Sequence, residues 1–437
     1  MYIAAYSELF NLNYRKFELD ALLYKFFFMI GKKFFLVFVA TVLFWNNSFS
    51  CTTAIISGKA TPDGRPLLWK HRDTDQYNNK VMFFVGAQYD YIGIVNSQDT
   101  QFHIWGGTNS AGFSIMNSAS YNIIPENDKS AVKDLEGYIM KLALANCSTI
   151  KDFANMLDTL PKPWGISANF GIIDAQGGAG YYEANNFFYK FFDANDPLDA
   201  PNGYLVRTNF SISGKENEGA GYNRYQTAQN IINEALAQNG LTPAFFLHNA
   251  SLCLRHDLTK TDLSNEFNKD NFSNRMYPFR DFIVRYSSSS TIVVQGIKGD
   301  ESPLLTTSWV KIGFQPASVA VPVWVGKSDI VPTVLTSIGQ DNSLLCDITL
   351  KLKEECFPYI KWSEGENYVL LEKLGNINGT GLMQLTVPFD LEIMARAEKI
   401  VEKWRKSKFN DKDVRRFNEE LDRQIPIFYS INFGLTQ

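Results

Sequence analysis

A layered α+β fold with antiparallel sheets is predicted from three observations. Short strand-like runs crowd residues 52–117, two helical blocks interrupt them near 130–160 and 222–254, and strands return at 291–296 and 319–325. Runs of strands alternating with runs of helices suit stacked layers better than a doubly wound parallel sheet, which needs a helix between successive strands. No internal repeat or low-complexity linker divides the chain.

Taken in order, Thr52 to Gly58 reads as a strand, Thr61-Pro62-Asp63-Gly64 as a turn, and Pro66 to His71 as its partner strand. Met82–Val85, Ile92–Val95 and a pair within 102–117 around Asn109-Ser110-Ala111-Gly112 continue the pattern. In 130–160, Leu135, Ile139, Leu142 and Leu144 share an apolar face. Asn146-Cys147-Ser148-Thr149 breaks it, and Thr149 is placed to cap the next helix. Strands follow at Asn169–Asp174, Gly180–Ala184, Phe187–Phe192 and Tyr204–Asn209, then helices near Tyr222–Ala237 and Thr242–Leu254. Charged helices at Asp390–Lys406 and Asp411–Arg423 lie in a C-terminal helical extension, 386–437, expected to pack on a main domain of 51–385.

The composition of the 437-residue chain, 45% hydrophobic and 14% aromatic, supports a large core. A net charge of −4 without a basic block argues against nucleic acid as a partner. The five cysteines (Cys51, Cys147, Cys253, Cys346 and Cys356) form no CxxC pair, and no HExxH helix occurs, so no metal or other cofactor is expected. Cys346 and Cys356 are either two separate buried thiols or a disulfide.

Lys32-Lys33, the apolar run Phe34–Trp45 and the short polar stretch Asn46–Ser50 make the three-part pattern of a secretory signal, with small Ser48 and Ser50 before Cys51. Residues 1–50 are therefore a targeting segment, with translation starting at Met29. The run is short for a membrane span, and no stable span is expected after processing. Two other readings stand beside this one: a retained anchor, and lipidation of Cys51, which Ser48 and Phe49 suit poorly. Cleavage at Ser50–Cys51 gives the thiol an α-amino group of its own, titrating at about 7.7–8.0 when unperturbed, that can serve as its base. The protein is thus expected outside the cytoplasm, periplasmic or secreted.

From Cys51 onward the chain resembles the N-terminal-nucleophile hydrolases of the choloylglycine hydrolase and penicillin V acylase type, and the related acyl-coenzyme A:6-aminopenicillanic acid acyltransferases. The resemblance rests on Cys51-Thr52-Thr53 and on Arg72-Asp73-Thr74-Asp75. It continues through Asn109 to Asn117, the strand–Asp–x–x–Gly–strand–Glu hairpin Asn169–Glu183, Leu205-Val206-Arg207-Thr208-Asn209, and Asn223-Arg224-Tyr225. It covers roughly residues 51 to 235.

The resemblance implies a four-layer αββα sandwich and cleavage of a linear carbon–nitrogen amide bond of a small molecule, through a thioester on Cys51. It assigns Arg72 to the thiol, Asp75 to the α-amino group, Asn117 and Asn209 to the oxyanion, and Arg224 to the surrounding polar network. Asn122 is the alternative match to Asn117. Acyl transfer to an amine, an N-terminal-cysteine dipeptidase and a non-catalytic lipid-anchored surface protein are the rival functions, and a homo-oligomer is allowed. The aromatic cluster Phe187, Phe188, Tyr189, Phe191 and Phe192 lines an acyl pocket or simply alternates along a strand.

Overall fold

The computed structural model describes residues 50–435, apart from 131–132, 270–273, 328–329 and 360–363. The apolar run Phe34–Trp45 and the proposed start at Met29 lie outside the described residues. Residues 49–437 form one unit.

Two antiparallel sheets form the centre. The first contains β1 (Thr52–Ile56), β2 (Leu67–Asp73), β10 (Tyr204–Arg207), β11 (Ser288–Gln295), β12 (Thr307–Ile312) and β13 (Val321–Val323), in the order β10-β1-β2-β11-β12-β13. The second is a seven-stranded meander in chain order: β3 (Asn79–Phe84), β4 (Tyr91–Asn96), β5 (Ile104–Asn109), β6 (Ser114–Ala119), β7 (Ala168–Ile173), β8 (Ala179–Ala184) and β9 (Tyr189–Asp193). The sheets pack face to face. Hydrogen bonds cross between them from Tyr181 Oη to Thr53 Oγ1 (2.8 Å) and between the Thr108 and Ser308 hydroxyls (2.9 Å).

Helices α1 (Glu136–Asn146) and α2 (Ile150–Thr159) cover the outer face of the meander. They bury Met140, Leu144 and Phe153 against Ile115, Phe170 and Tyr182. Side chains of this size contribute about 1.5–3 kcal/mol each when fully buried. The break between the two helices falls where the sequence places it. Thr149 accepts from Asp152 N while Asp152 bonds back to the Thr149 amide, a reciprocal cap.

On the other side, α3 (Tyr222–Ala237), α4 (Leu344–Cys356) and α5 (Leu382–Lys406) pack on the first sheet, and α6 (Asp411–Phe433) lies against α5, completing the αββα sandwich. The segment read as a helix over 242–254 is a single π-helical stretch, Phe245–Ala250. Helix α5 begins at Leu382 and carries Pro388 inside it, so it starts before the expected Asp390; α6 runs ten residues past the expected Arg423. Both bury apolar faces in the main core, through Ile393, Ala397, Val401, Phe417 and Leu421.

Asp390 fastens α5 from within: it accepts from Lys311 Nζ (2.6 Å), Ala320 N (2.7 Å) and His248 Nε2 (3.2 Å), and all but His248 are fully buried.

All five cysteines are free. Cys346 and Cys356 stand ten residues apart on α4, about 15 Å along its axis, far beyond disulfide reach. The paired alternative is thereby excluded.

Candidate active site

Cys51 immediately precedes β1, an inner strand flanked by β2 and β10. Thr52 pairs with His71 and Thr53 with Lys70, so the strand period places Cys51 beside Arg72 and puts Lys70 and Arg72 on one face. Cys51, Lys70, Arg72, Trp105, Asn117 and Glu136 line one cavity of about 680 Å³. Tyr121 and Ile124, both exposed, stand at its rim, and Ile166 adds to its apolar wall.

Arg72 donates to Asn79 Oδ1 (2.7 Å) and Asn96 Oδ1 (2.9 Å), and its guanidinium lies 4.8 Å from the Trp105 ring centre. Burial pulls its pKa down to about 10 against the opposing pull of Cys51, so it stays charged at neutral pH. Lys70 donates to the Trp105 carbonyl (2.6 Å) and to Asn117 Oδ1 (2.8 Å). Burial lowers its ammonium to about 7, with Cys51 again pulling upward. Among the described residues, no hydrogen bond engages the Asn117 Nδ2 donors. Asn122 lies elsewhere, fastening Ser211 and Lys215 as a loop staple.

Arg224, near the start of α3, bonds around the nucleophile. Its Nη1 donates to Cys51 O (2.6 Å) and Thr52 Oγ1 (2.9 Å), and its Nη2 to Ser50 Oγ (2.7 Å) and Asn209 Oδ1 (2.8 Å). Burial lowers its pKa to about 9. Gly221 makes this fold-back feasible: its φ is +83°, and a Cβ there would collide with the Arg224 guanidinium. Asn209 Nδ2 donates to Ala119 O (3.0 Å), which ties the end of β6 to the segment after β10. Asn209 does not line the cavity, so in this arrangement it braces Arg224.

Asp75, expected at the α-amino group, lies outside the buried network in this structure. It is exposed and, among the described residues, accepts from Thr74 and Gln76 within its own turn, each at 3.4 Å. The buried carboxylate beside the nucleophile is Asp73, which ends β2. It pairs with Arg285 Nη2 (2.6 Å), accepts from Ser288 Oγ (2.8 Å), and takes the Ser50 N–H on its backbone carbonyl (3.3 Å). Burial alone would raise its pKa, but Arg285 and His71 outweigh that and hold it below the usual carboxylate range. Arg285 Nη2 also donates to Ser50 O (3.0 Å).

Arg285 carried no sequence signal. Lys70 carried one: a lysine two residues before Arg72 in the same strand lies on the arginine's face. The aromatic cluster does not line the cavity. Phe187 and Phe188 are exposed on the β8–β9 turn, and Tyr189 and Phe191 pack against the outer core beneath α2. Among the described residues, no group of His, Cys, Asp or Glu is arranged to hold a metal, and no helix is long and apolar enough to cross a membrane.

The site thus combines a thiol, an uncommitted amide and buried cations in one cavity. Several solved structures align with part of this chain. An N-acylethanolamine-hydrolyzing acid amidase ortholog from Caenorhabditis elegans is 13% identical, with a TM-score of 0.37 over 58% of this chain and 93% of that one. A conjugated bile acid hydrolase from Clostridium perfringens is 12% identical, with a TM-score of 0.38 over 63% and 92%. A penicillin V acylase from Agrobacterium tumefaciens is 11% identical, with a TM-score of 0.32 over 63% and 86%. No family model and no curated protein matches the chain.

Proposed function

We propose that this protein is an exported hydrolase of linear amides, with Cys51 as nucleophile once removal of residues 1–50 makes it the first residue. The observation that carries the reading is the meeting of the Cys51 thiol with the uncommitted Asn117 amide in one cavity. Attack on an amide carbonyl creates a negative oxygen, and an N–H₂ with no other acceptor among the described residues is ready to receive it.

In this reading the freed α-amine takes the thiol proton as sulfur bonds to the carbonyl carbon. The proton passes to the leaving nitrogen as the C–N bond breaks, leaving a thioester and a free amine. Water then adds to the thioester, releases the carboxylic acid and restores the thiol. Arg72 and Arg224 hold positive charge around these steps without acting as bases. Arg224 fixes the nucleophile's backbone through Cys51 O.

The test begins with the intact mass of the protein exported from a bacterial host, followed by a screen of N-acyl amides. A chain starting at unmodified Cys51, active on an amide and silenced by Cys51→Ala, is expected. A lipid on Cys51, a different first residue, or activity that survives Cys51→Ala would overturn the reading.

A further inference from the structure

Lys70 is a buried cation that the thiol chemistry does not require, and its surroundings give it a task. The β5–β6 ladder ends at the pair Gly106–Met116. The next two residues, Trp105 and Asn117, are not paired to each other. The Lys70 ammonium bridges them, donating to the Trp105 carbonyl and to Asn117 Oδ1. No carboxylate pairs with Lys70 among the described residues, so both of its bonds go to neutral acceptors. A buried ammonium hydrogen-bonded to neutral acceptors is costly, and here it stands where an amide must face one way.

A charged lysine has three donors and no acceptor, whereas an Asn side chain has one accepting and one donating end. Beside Lys70 in its protonated form, Asn117 must present Oδ1, which turns Nδ2 the other way. Without Lys70 the two ends of the amide become nearly equivalent, and half-turns about its last torsion bring the carbonyl oxygen, a repulsive group, toward the developing oxyanion.

We infer that Lys70 is a positioning residue: it locks the Asn117 side chain with its N–H₂ available to the reacting carbonyl oxygen. The inference rests on the hydrolase reading above. It assigns Lys70 no contact with substrate.

A double-mutant cycle on the mature enzyme tests it, using the amide found in the screen. Asn117→Ala is expected to lower kcat about 100- to 1000-fold, the usual loss for an oxyanion donor. Lys70→Met should lower kcat at least about tenfold with KM within about twofold. In the Asn117→Ala background the same change should alter kcat less than about twofold, because its target is gone. Lys70→Arg keeps a donor-only head and should lose less than Lys70→Met; it also serves if Lys70→Met does not fold.

Equal losses in both backgrounds, or a raised KM with kcat unchanged, overturn the inference. A second readout needs no turnover: the Asn117 side-chain amide resonance, assigned by its loss in Asn117→Ala, should move in Lys70→Met and stay near its wild-type position in Lys70→Arg. An unmoved resonance refutes the positioning role even if no amide substrate is found. Activity surviving Cys51→Ala instead refutes the hydrolase reading alone.

Discussion

Glu136 offers a quantitative test of the cavity wall. It is the first residue of α1, it is buried, and one carboxylate oxygen accepts from Ser167 N at 2.8 Å. Burial raises its pKa from 4.5 to about 7, against the smaller downward pull of the Ser167 N–H. The folded protein therefore holds this proton more tightly than the unfolded chain. The resulting stability is complete below about 4.5 and is lost as pH rises through about 7. A shift of about 2.5 at 1.36 kcal/mol per unit makes the loss about 3 kcal/mol.

Glu136→Gln retains an acceptor for Ser167 and never ionises. Urea unfolding followed by tryptophan fluorescence, run on both proteins at pH 4.5 and pH 8, isolates the effect, since every other titrating group is common to both. The stability of Glu136→Gln relative to wild type should rise by about 3 kcal/mol between the two pH values, with unchanged m-values. A gap that stays constant within about 0.5 kcal/mol would mean that Glu136 ionises freely in the fold and that the cavity wall is wetter than described.

Other consequences are as direct. Asp390→Ala leaves Lys311 buried and unpaired and should cost about 3–5 kcal/mol in urea melts, whereas replacing both residues by apolar ones of similar size should cost much less. Iodoacetamide at pH 7.5 should label the mature protein once, at Cys51, by peptide mass mapping; Cys147, Cys253 and Cys346 are pushed up to about 12 by burial and should stay unlabelled. Gly221→Ala should cost about 1–3 kcal/mol in thermal or urea melts through its left-handed backbone alone, and should lower kcat further by displacing Arg224.

Much of this molecule was legible in its residues. Alternation and turn chemistry placed β1 and β2 and the hairpin Asn169–Glu183, where Asp174 Oδ1 does accept from Gln176 N and Gly178 N. Thr149 marked its cap because a reciprocal cap is a local pattern. What escaped was decided by distant parts of the chain. Asp73 and Asp75 differ in sequence by two positions and in environment completely, because Arg285 and Ser288 come from more than 200 residues away to bury the former. Helix α4 went unread, and with it the separation of Cys346 from Cys356. The bridge from Lys70 to Asn117 depends on where a ladder stops, which no period in the sequence announces.

The grip on Ser50 has a consequence for timing. In the uncut chain the Arg224 and Arg285 guanidiniums each give an N–H to this residue, one to its hydroxyl and one to its carbonyl. Two strong donors beside Cys51 are therefore occupied by the residue just before it. In the matured protein proposed above, removal of Ser50 would give Cys51 its free amine and, in the same event, would release the N–H groups of Arg224 and Arg285 that Ser50 now holds.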